Sequence, residues 1–284
     1  MLRLPSHYTG VNLTMNSKQD DPKQNRPDHA AAAAATGMVI DDFQAQGKRE
    51  YMEDFHNILH DDKTGCCIAL ICDGHGGKAV AEWLATYAPV RLLLLLNYYQ
   101  HEYCTRIHSL PKKERKSWKN LHWIHLERDI KQCLLQMDKE MYHWFQGSNS
   151  SGGSTLNCIG FMPVAQKLVT INVGDSHFLL HGKSKLASLD HKPNHTSEWS
   201  RIHSSCGFVV RSRVNGILAL SRAFGDWSLK STPTCVYHPS NGAVSTMADV
   251  HGIPYSHSRF QLIIVGSNVI WEVLSHLDSL AFLH

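Results

Sequence analysis

Asp73, Gly74 and His75 follow a run of seven mostly apolar residues, Cys66 to Cys72, and their types suit catalysis. The run predicts a strand buried on both faces, and we expect it to stop at the Asp-Gly pair. An aspartate at the mouth of such a strand can bind a cation, and a glycine lets the main-chain carbonyl approach as a second ligand. His75 would stand beside this site. The alternative is that Asp-Gly only makes a turn and His75 only caps the next helix.

Arg49, Glu53 and Asp54 form a second polar group upstream of that run. We expect residues 49–54 to form a strand on which Arg49, Tyr51 and Glu53 point to one face. An arginine beside metal-binding carboxylates suits a phosphate subsite, because its planar guanidinium holds two phosphate oxygens at once. The alternative is an ordinary Arg-Glu pair on the surface.

Two helices are predicted to position these groups. Residues 78–96 have helical spacing, although Pro89 should kink or interrupt the helix. Residues 124–145 have a second apolar stripe. The polar stretch 97–123 between them carries lysines and aromatic residues, and is interpreted as a solvated connection, with recruitment of an acidic partner as the alternative.

Short strands are predicted at residues 154–161, 167–173, 178–181, 187–189 and 260–265. Gly174-Asp175-Ser176 and Gly225-Asp226 are interpreted as turns between such elements. A nucleotide-binding protein is the alternative for the Gly-rich loop before Ser154, but neither Gly-x-x-x-x-Gly-Lys-Ser/Thr nor Gly-x-Gly-x-x-Gly occurs.

Composition narrows the class of protein. The net charge of +3 over 284 residues gives no reason to expect nucleic-acid binding. The eight cysteines form no Cys-x-x-Cys pair, which favours a reducing compartment, cytoplasmic or nuclear, and zinc is not expected. The apolar runs are too short for a bilayer, so we expect no membrane association. We expect residues 1–37 to form a disordered tail and residues 38–284 to form one domain. We also expect the protein to be a monomer.

Three segments, in this order, resemble the signatures of one family: Met52-Glu53-Asp54, Asp73-Gly74-His75-Gly76-Gly77 and Ser221-Arg222-Ala223-Phe224-Gly225-Asp226. They are similar to those of the protein phosphatase 2C family of metal-dependent serine/threonine phosphatases. The resemblance covers roughly residues 38–275. It implies an α+β fold, a four-layer sandwich of two antiparallel β-sheets flanked by helices, and a phosphorylated Ser/Thr protein as the partner.

The resemblance also implies a site with two divalent ions, Mn²⁺ or Mg²⁺, that activate a water for attack on phosphorus. Asp73 would bridge the ions, Gly74 would lend its carbonyl and Glu53 would hold one ion. Asp54 would support the ligands, Arg49 would bind the phosphate, and His75 would protonate the leaving oxygen.

The C-terminal side departs from the family pattern. Asn268 and Val269 stand where the family carries Asp-Gly. Only thirteen residues follow Trp271, so the C-terminal part of the fold, with a later Asp-Asn, is expected to be incomplete. We therefore expect a degraded metal site, with one ion or none bound tightly, and a pseudophosphatase that binds phosphoprotein. The alternative is a weakly active metal-dependent protein serine/threonine phosphatase.

Overall fold

The computed structural model describes residues 42, 44–46, 49–147, 152–182, 185–231, 237–255, 260–268 and 271. The predicted tail, residues 1–37, lies outside these residues, as does Val269.

Two long helices and one short one run through the described residues. They are α1 (Ala79–Arg106), α2 (Lys112–Trp144) and α3 (Thr196–Ser204), with a 3-10 turn at Trp227–Leu229. The strands are β1 (Asp54–His60), β2 (Cys67–His75), β3 (Gly153–Ser154), β4 (Leu156–Met162), β5 (Lys167–Val173), β6 (His177–Gly182), β7 (Leu186–Ala187), β8 (Val209–Val210), β9 (Arg213–Val214), β10 (Phe224–Gly225), β11 (Asp249–Pro254) and β12 (Phe260–Gly266).

The strands form two main antiparallel sheets that pack against each other. The larger sheet has the order β10-β3-β2-β4-β5-β11, with β1 also paired to β2, and the smaller has the order β12-β6-β7. Alternate residues of β2 point to opposite faces. Ile68 and Leu70 join the core beneath α1 and α2, whereas Cys67 packs with Phe178 and Leu180 of the smaller sheet. The α+β class, with antiparallel sheets flanked by helices, is therefore confirmed.

Helix α1 continues through Pro89, contrary to the predicted interruption. Proline has no N–H, so the carbonyl four residues earlier, at Ala85, loses its helical partner. The Asn57 side chain on β1 supplies the missing donor, with its Nδ2 2.9 Å from the Ala85 carbonyl oxygen. The neighbouring strand therefore stabilises a helix that the sequence alone predicts to break.

We expect Asn57→Ala to lower the free energy of unfolding by about 1–3 kcal/mol, because it leaves a buried carbonyl without a donor. In a Pro89→Ala background the alanine N–H can pair with the Ala85 carbonyl, so the same substitution should cost much less there. Urea denaturation of the two single variants and the double variant measures this coupling. Equal costs in both backgrounds would contradict the assignment.

The stretch 97–123 is largely exposed, in keeping with a solvated connection, and it is mostly helical. Helix α1 ends at Arg106 and α2 begins at Lys112. The interleaved aromatic residues hold the two helices together, with the ring centroids of Tyr99 on α1 and His122 on α2 5.2 Å apart. Further along α2, the predicted stripe is confirmed by the buried residues Leu126, Ile130, Leu134, Met137 and Met141.

The expectation that no apolar segment is long enough for a bilayer is not met by α1. By length and composition alone, the helix Ala79–Arg106 could cross a membrane. Half of its most apolar 18-residue stretch, however, is buried inside the protein. Val80, Leu84, Leu92 and Leu96 belong to the main core. These contacts are those of a core helix.

The start of β1 and the end of β2 both differ from prediction. Strand β1 begins at Asp54, so Arg49, Tyr51 and Glu53 do not share a strand face. Strand β2 does not stop at Asp73 but continues to His75. The chain turns instead at Gly76 and Gly77, whose φ angles of 67° and 121° suit glycine.

Candidate metal centre

Asp73 lies two residues before the end of β2, between the two sheets, and is 7% exposed. The main chain of Asp73 is held by β3 and by Thr155, the residue that follows β3. The Asp73 N–H donates to Thr155 Oγ1 at 3.0 Å, and its carbonyl accepts from the Thr155 N–H at 2.9 Å. These bonds fix the direction in which the carboxylate points.

Two further carboxylates act on Asp73. Asp54 is directly opposite it in the β1–β2 register, and its carboxyl acts on that of Asp73. Asp175 lies in the link between β5 and β6. Burial first, and then the charges of Asp54 and Asp175, raise the pKa of the Asp73 carboxyl to about 7. Buried carboxylates that repel one another in this way are a setting for a cation.

Gly74 and Glu53 are joined beside this cluster, although Gly74 is not a turn residue. The Gly74 N–H donates to the Glu53 carbonyl at 3.2 Å, and a Cβ at Gly74 would come within 2.5 Å of that oxygen. Glycine is needed there for close approach. The Glu53 carboxylate accepts from the Gly77 N–H at 2.8 Å, which ties it to the turn after β2.

Asn268 brings the smaller sheet to the cluster. It follows β12, and its main-chain N–H lies 3.4 Å from Asp73 Oδ2. Its side-chain Oδ1 is buried and has no hydrogen-bond partner in the described structure. An unsatisfied buried oxygen is costly, and a nearby cation would satisfy it.

This donor set fits a divalent cation such as Mn²⁺ or Mg²⁺, because it consists of hard oxygen atoms. Within the described ranges, however, no three His, Cys, Asp or Glu side chains form a ready metal-binding group. A bound ion would therefore also depend on a main-chain carbonyl, on the Asn268 amide or on water.

His75 is paired with Asp226, a residue that the sequence suggested only as part of a turn. The His75 Nε2 and Asp226 Oδ2 atoms are 2.7 Å apart. Burial alone would lower the pKa of His75, but the hydrogen bond and charge of Asp226 outweigh it, so this pKa lies above the ordinary value. The pair therefore favours a protonated imidazole, which can donate a proton.

The position of Asp226 depends on strained and closely packed main chain. Asp226 has a φ of 47°, and its N–H donates to the Gly152 carbonyl at 3.2 Å. A Cβ at Gly153 would overlap the Asp226 carboxylate. The one signal in the sequence was the glycine-aspartate pair itself, and it gave no indication that this pair meets His75.

Arg49 is exposed and lies just before β1. Its carbonyl accepts from the Gln46 side chain at 2.8 Å. Within the described part of the chain, no hydrogen bond or ion pair joins its guanidinium to the carboxylate cluster. Its role toward phosphate therefore remains a prediction.

The chain has counterparts among known proteins. The Protein phosphatase 2C family profile matches residues 38–283. Protein phosphatase 2C homolog 2 of Saccharomyces cerevisiae is 31% identical over 273 residues, which are 93% of this chain and 53% of that protein. Protein phosphatase 1A of Homo sapiens is 28% identical over 269 residues, 92% of this chain and 65% of that protein. The chain thus spans about half to two thirds of the length of these relatives.

A solved structure has the same fold. The serine-threonine phosphatase 2C from Toxoplasma gondii superposes with a TM-score of 0.63 at 17% identity, covering 83% of this chain and 79% of that one. The family profile spans most of the chain, including Glu53, Asp73, His75 and Asp226. The chain therefore belongs to the protein phosphatase 2C family.

Proposed function

We propose that this chain is a pseudophosphatase of the protein phosphatase 2C family, which binds phosphorylated Ser/Thr proteins at a weakened divalent-metal site. The observation that carries the proposal is Asn268, whose N–H lies 3.4 Å from the Asp73 carboxylate. Its neutral amide stands where the family resemblance leads us to expect a negative ligand. An amide oxygen can coordinate a cation but does not offset its charge.

In this proposal Asp73 is the central ligand, with the Gly74 carbonyl and Glu53 at its side and Asp54 in support. The bound ion would neutralise phosphoryl oxygens and make a bound water more acidic. Arg49 would hold the phosphate through its guanidinium. The free thiols of the described cysteines are in keeping with an intracellular location.

A second candidate, a weakly active metal-dependent phosphatase, is favoured by one observation. The His75–Asp226 pair is intact at 2.7 Å and would let His75 give a proton to the leaving serine or threonine oxygen. A protein selected only for binding has no evident need for that proton donor.

The test is manganese titration by calorimetry together with phosphopeptide binding and turnover. We expect the wild type to bind phosphopeptide, to bind at most one Mn²⁺ tightly and to turn over little. Asn268→Asp should tighten Mn²⁺ binding by about 10–100-fold, because it adds a carboxylate to the cluster.

Asn241→Asp adds the same charge at an exposed position and serves as the control. Two tight Mn²⁺ equivalents in the wild type, with turnover similar to an active family member, would refute the pseudophosphatase proposal and leave the phosphatase. A wild type that binds neither Mn²⁺ nor phosphopeptide would refute both.

A further inference from the structure

Lys192 places a protein cation beside the carboxylate cluster. Its ammonium group forms an ion pair with the Asp175 carboxylate. The Asp175 side chain is 5% exposed, whereas the Lys192 side chain is 37% exposed. The carboxylate is thus fixed in the interior, and the lysine reaches it from the surface.

Main-chain hydrogen bonds around Lys192 hold it in position for this contact. The His191 N–H donates to the Gly174 carbonyl at 3.0 Å, and the Gly174 N–H donates to His191 Nδ1, also at 3.0 Å. Because Nδ1 accepts, His191 Nε2 carries the proton, and it lies 3.2 Å from Asp249 Oδ2. The segment bearing Lys192 is therefore locked to the segment bearing Asp175 by a buried pair of reciprocal bonds.

Asp175 is also connected to Asp73. The Ser176 and Thr155 hydroxyl groups are 2.7 Å apart, and Thr155 Oγ1 accepts from the Asp73 N–H. Two hydroxyl groups thus hold the residue next to Asp175 against the backbone of Asp73. Asp175 is therefore held at a fixed position relative to Asp73, and its charge acts directly on the Asp73 carboxylate.

We propose that Lys192 is a built-in counter-charge that competes with a divalent cation for the carboxylate cluster and so sets its metal affinity. This inference rests on the proposed metal site. Without a metal, the ammonium neutralises Asp175, which would otherwise be a buried and uncompensated charge. A cation entering the cluster meets a carboxylate that is already neutralised, that of Asp175, and a like charge, that of Lys192. The exposed stem of Lys192 allows the ammonium to swing into solvent when the cation binds.

The test is calorimetric titration with Mn²⁺ alone on the purified chain. We expect Lys192→Met to bind Mn²⁺ about tenfold or more tightly than the wild type, the size typical of changes around a metal site. Its metal-free form should melt at a lower temperature, and saturating Mn²⁺ should raise its melting temperature more than that of the wild type. Lys192→Arg keeps the charge and should keep the wild-type affinity.

Two controls isolate the pair. Lys131→Met removes a lysine of similar exposure, 31%, that is 2.7 Å from Glu127, and should leave Mn²⁺ affinity unchanged. Combining Asp175→Asn with Lys192→Met removes both charges and should return the affinity toward the wild-type value. If Lys192→Met does not fold, Lys192→Gln keeps a hydrogen-bond donor for Asp175 while removing the charge.

The outcomes separate this inference from the proposed function. A wild type that binds Mn²⁺ and a Lys192→Met variant that binds it equally or more weakly would overturn only the role of Lys192. Absence of Mn²⁺ binding in both folded proteins would overturn the metal site and, with it, this inference. Binding by the variant alone would support the inference most directly.

Discussion

Replacing Asp73 by asparagine is expected to stabilise the metal-free protein at pH 8 and to abolish Mn²⁺ binding in the same variant. The folded protein raises the pKa of this carboxyl to about 7, by burial and by the charges of Asp54 and Asp175. Ionised Asp73 is thus unfavourable in the fold unless a cation accompanies it. An amide of the same shape removes that penalty together with the central metal ligand.

The sign of the pH dependence follows from the direction of this shift. The folded state keeps its proton at a pH where the unfolded state has lost it, so the Asp73 contribution favours folding at low pH. That contribution is lost as the pH rises from about 4 to about 7. For the metal-free wild type, we expect this one group to lower the free energy of unfolding by about 2–4 kcal/mol between pH 4 and pH 8.

Urea denaturation in the presence of a chelator, at several pH values, measures this effect. Asp73→Asn should flatten the decline, and its advantage over the wild type should be largest at pH 8. Asp62→Asn is the matched control, because the Asp62 side chain is 85% exposed. A variant that is less stable than the wild type at pH 8 without metal would show that Asp73 is not a strained carboxylate.

Local sequence patterns predicted the parts of the fold that depend on neighbouring residues. The apolar run before Asp73 predicted β2, and the stripe from Leu126 to Met141 predicted the buried face of α2. The boundaries were wrong where a distant partner decides them. Pro89 did not end α1, since Asn57 on another element supplies the missing donor.

The candidate site likewise has one part that the sequence predicts and one part that it does not. Glu53, Asp54, Asp73 and Gly74 lie together because β1 and β2 are adjacent, and adjacent strands are within reach of sequence reasoning. Asp226 is 151 positions from His75, and Asp175 is positioned by Lys192 and by a chain of hydroxyl groups. The periodicity of a sequence does not predict such contacts between distant residues, because they depend on tertiary packing.

A buried ion pair behind the His75–Asp226 contact gives the second large expected effect. Lys230 and Asp138 both have 0% side-chain exposure, and Lys230 Nζ lies 2.8 Å from Asp138 Oδ2 and 2.9 Å from Oδ1. Asp138 Oδ1 also accepts from the Gly225 N–H at 2.9 Å. Helix α2 thus holds the residue that precedes Asp226.

We expect Lys230→Met to lower the free energy of unfolding by about 3–5 kcal/mol, because it leaves the Asp138 charge buried without its partner. Arg91→Met is the control, because its partner Glu140 is on the same helix as Asp138; Arg91 and Glu140 are 2.6 Å apart but about one-third exposed. Breaking that pair should cost only about 0–1 kcal/mol, because water screens both charges. Urea denaturation of the two variants at pH 7 makes the comparison.

Loss of this ion pair should also affect the His75–Asp226 contact, because Asp138 holds Gly225 and Gly225 directly precedes Asp226. Replacing both Lys230 by methionine and Asp138 by leucine removes the buried charges, and should recover part of the lost stability. It should not recover all of it, because the Gly225 N–H then lacks its acceptor, at a cost of about 1–3 kcal/mol. A double variant as stable as the wild type would mean that Asp138 does not hold this turn. Equal losses for Lys230→Met and Arg91→Met would mean that burial does not decide the strength of the pair.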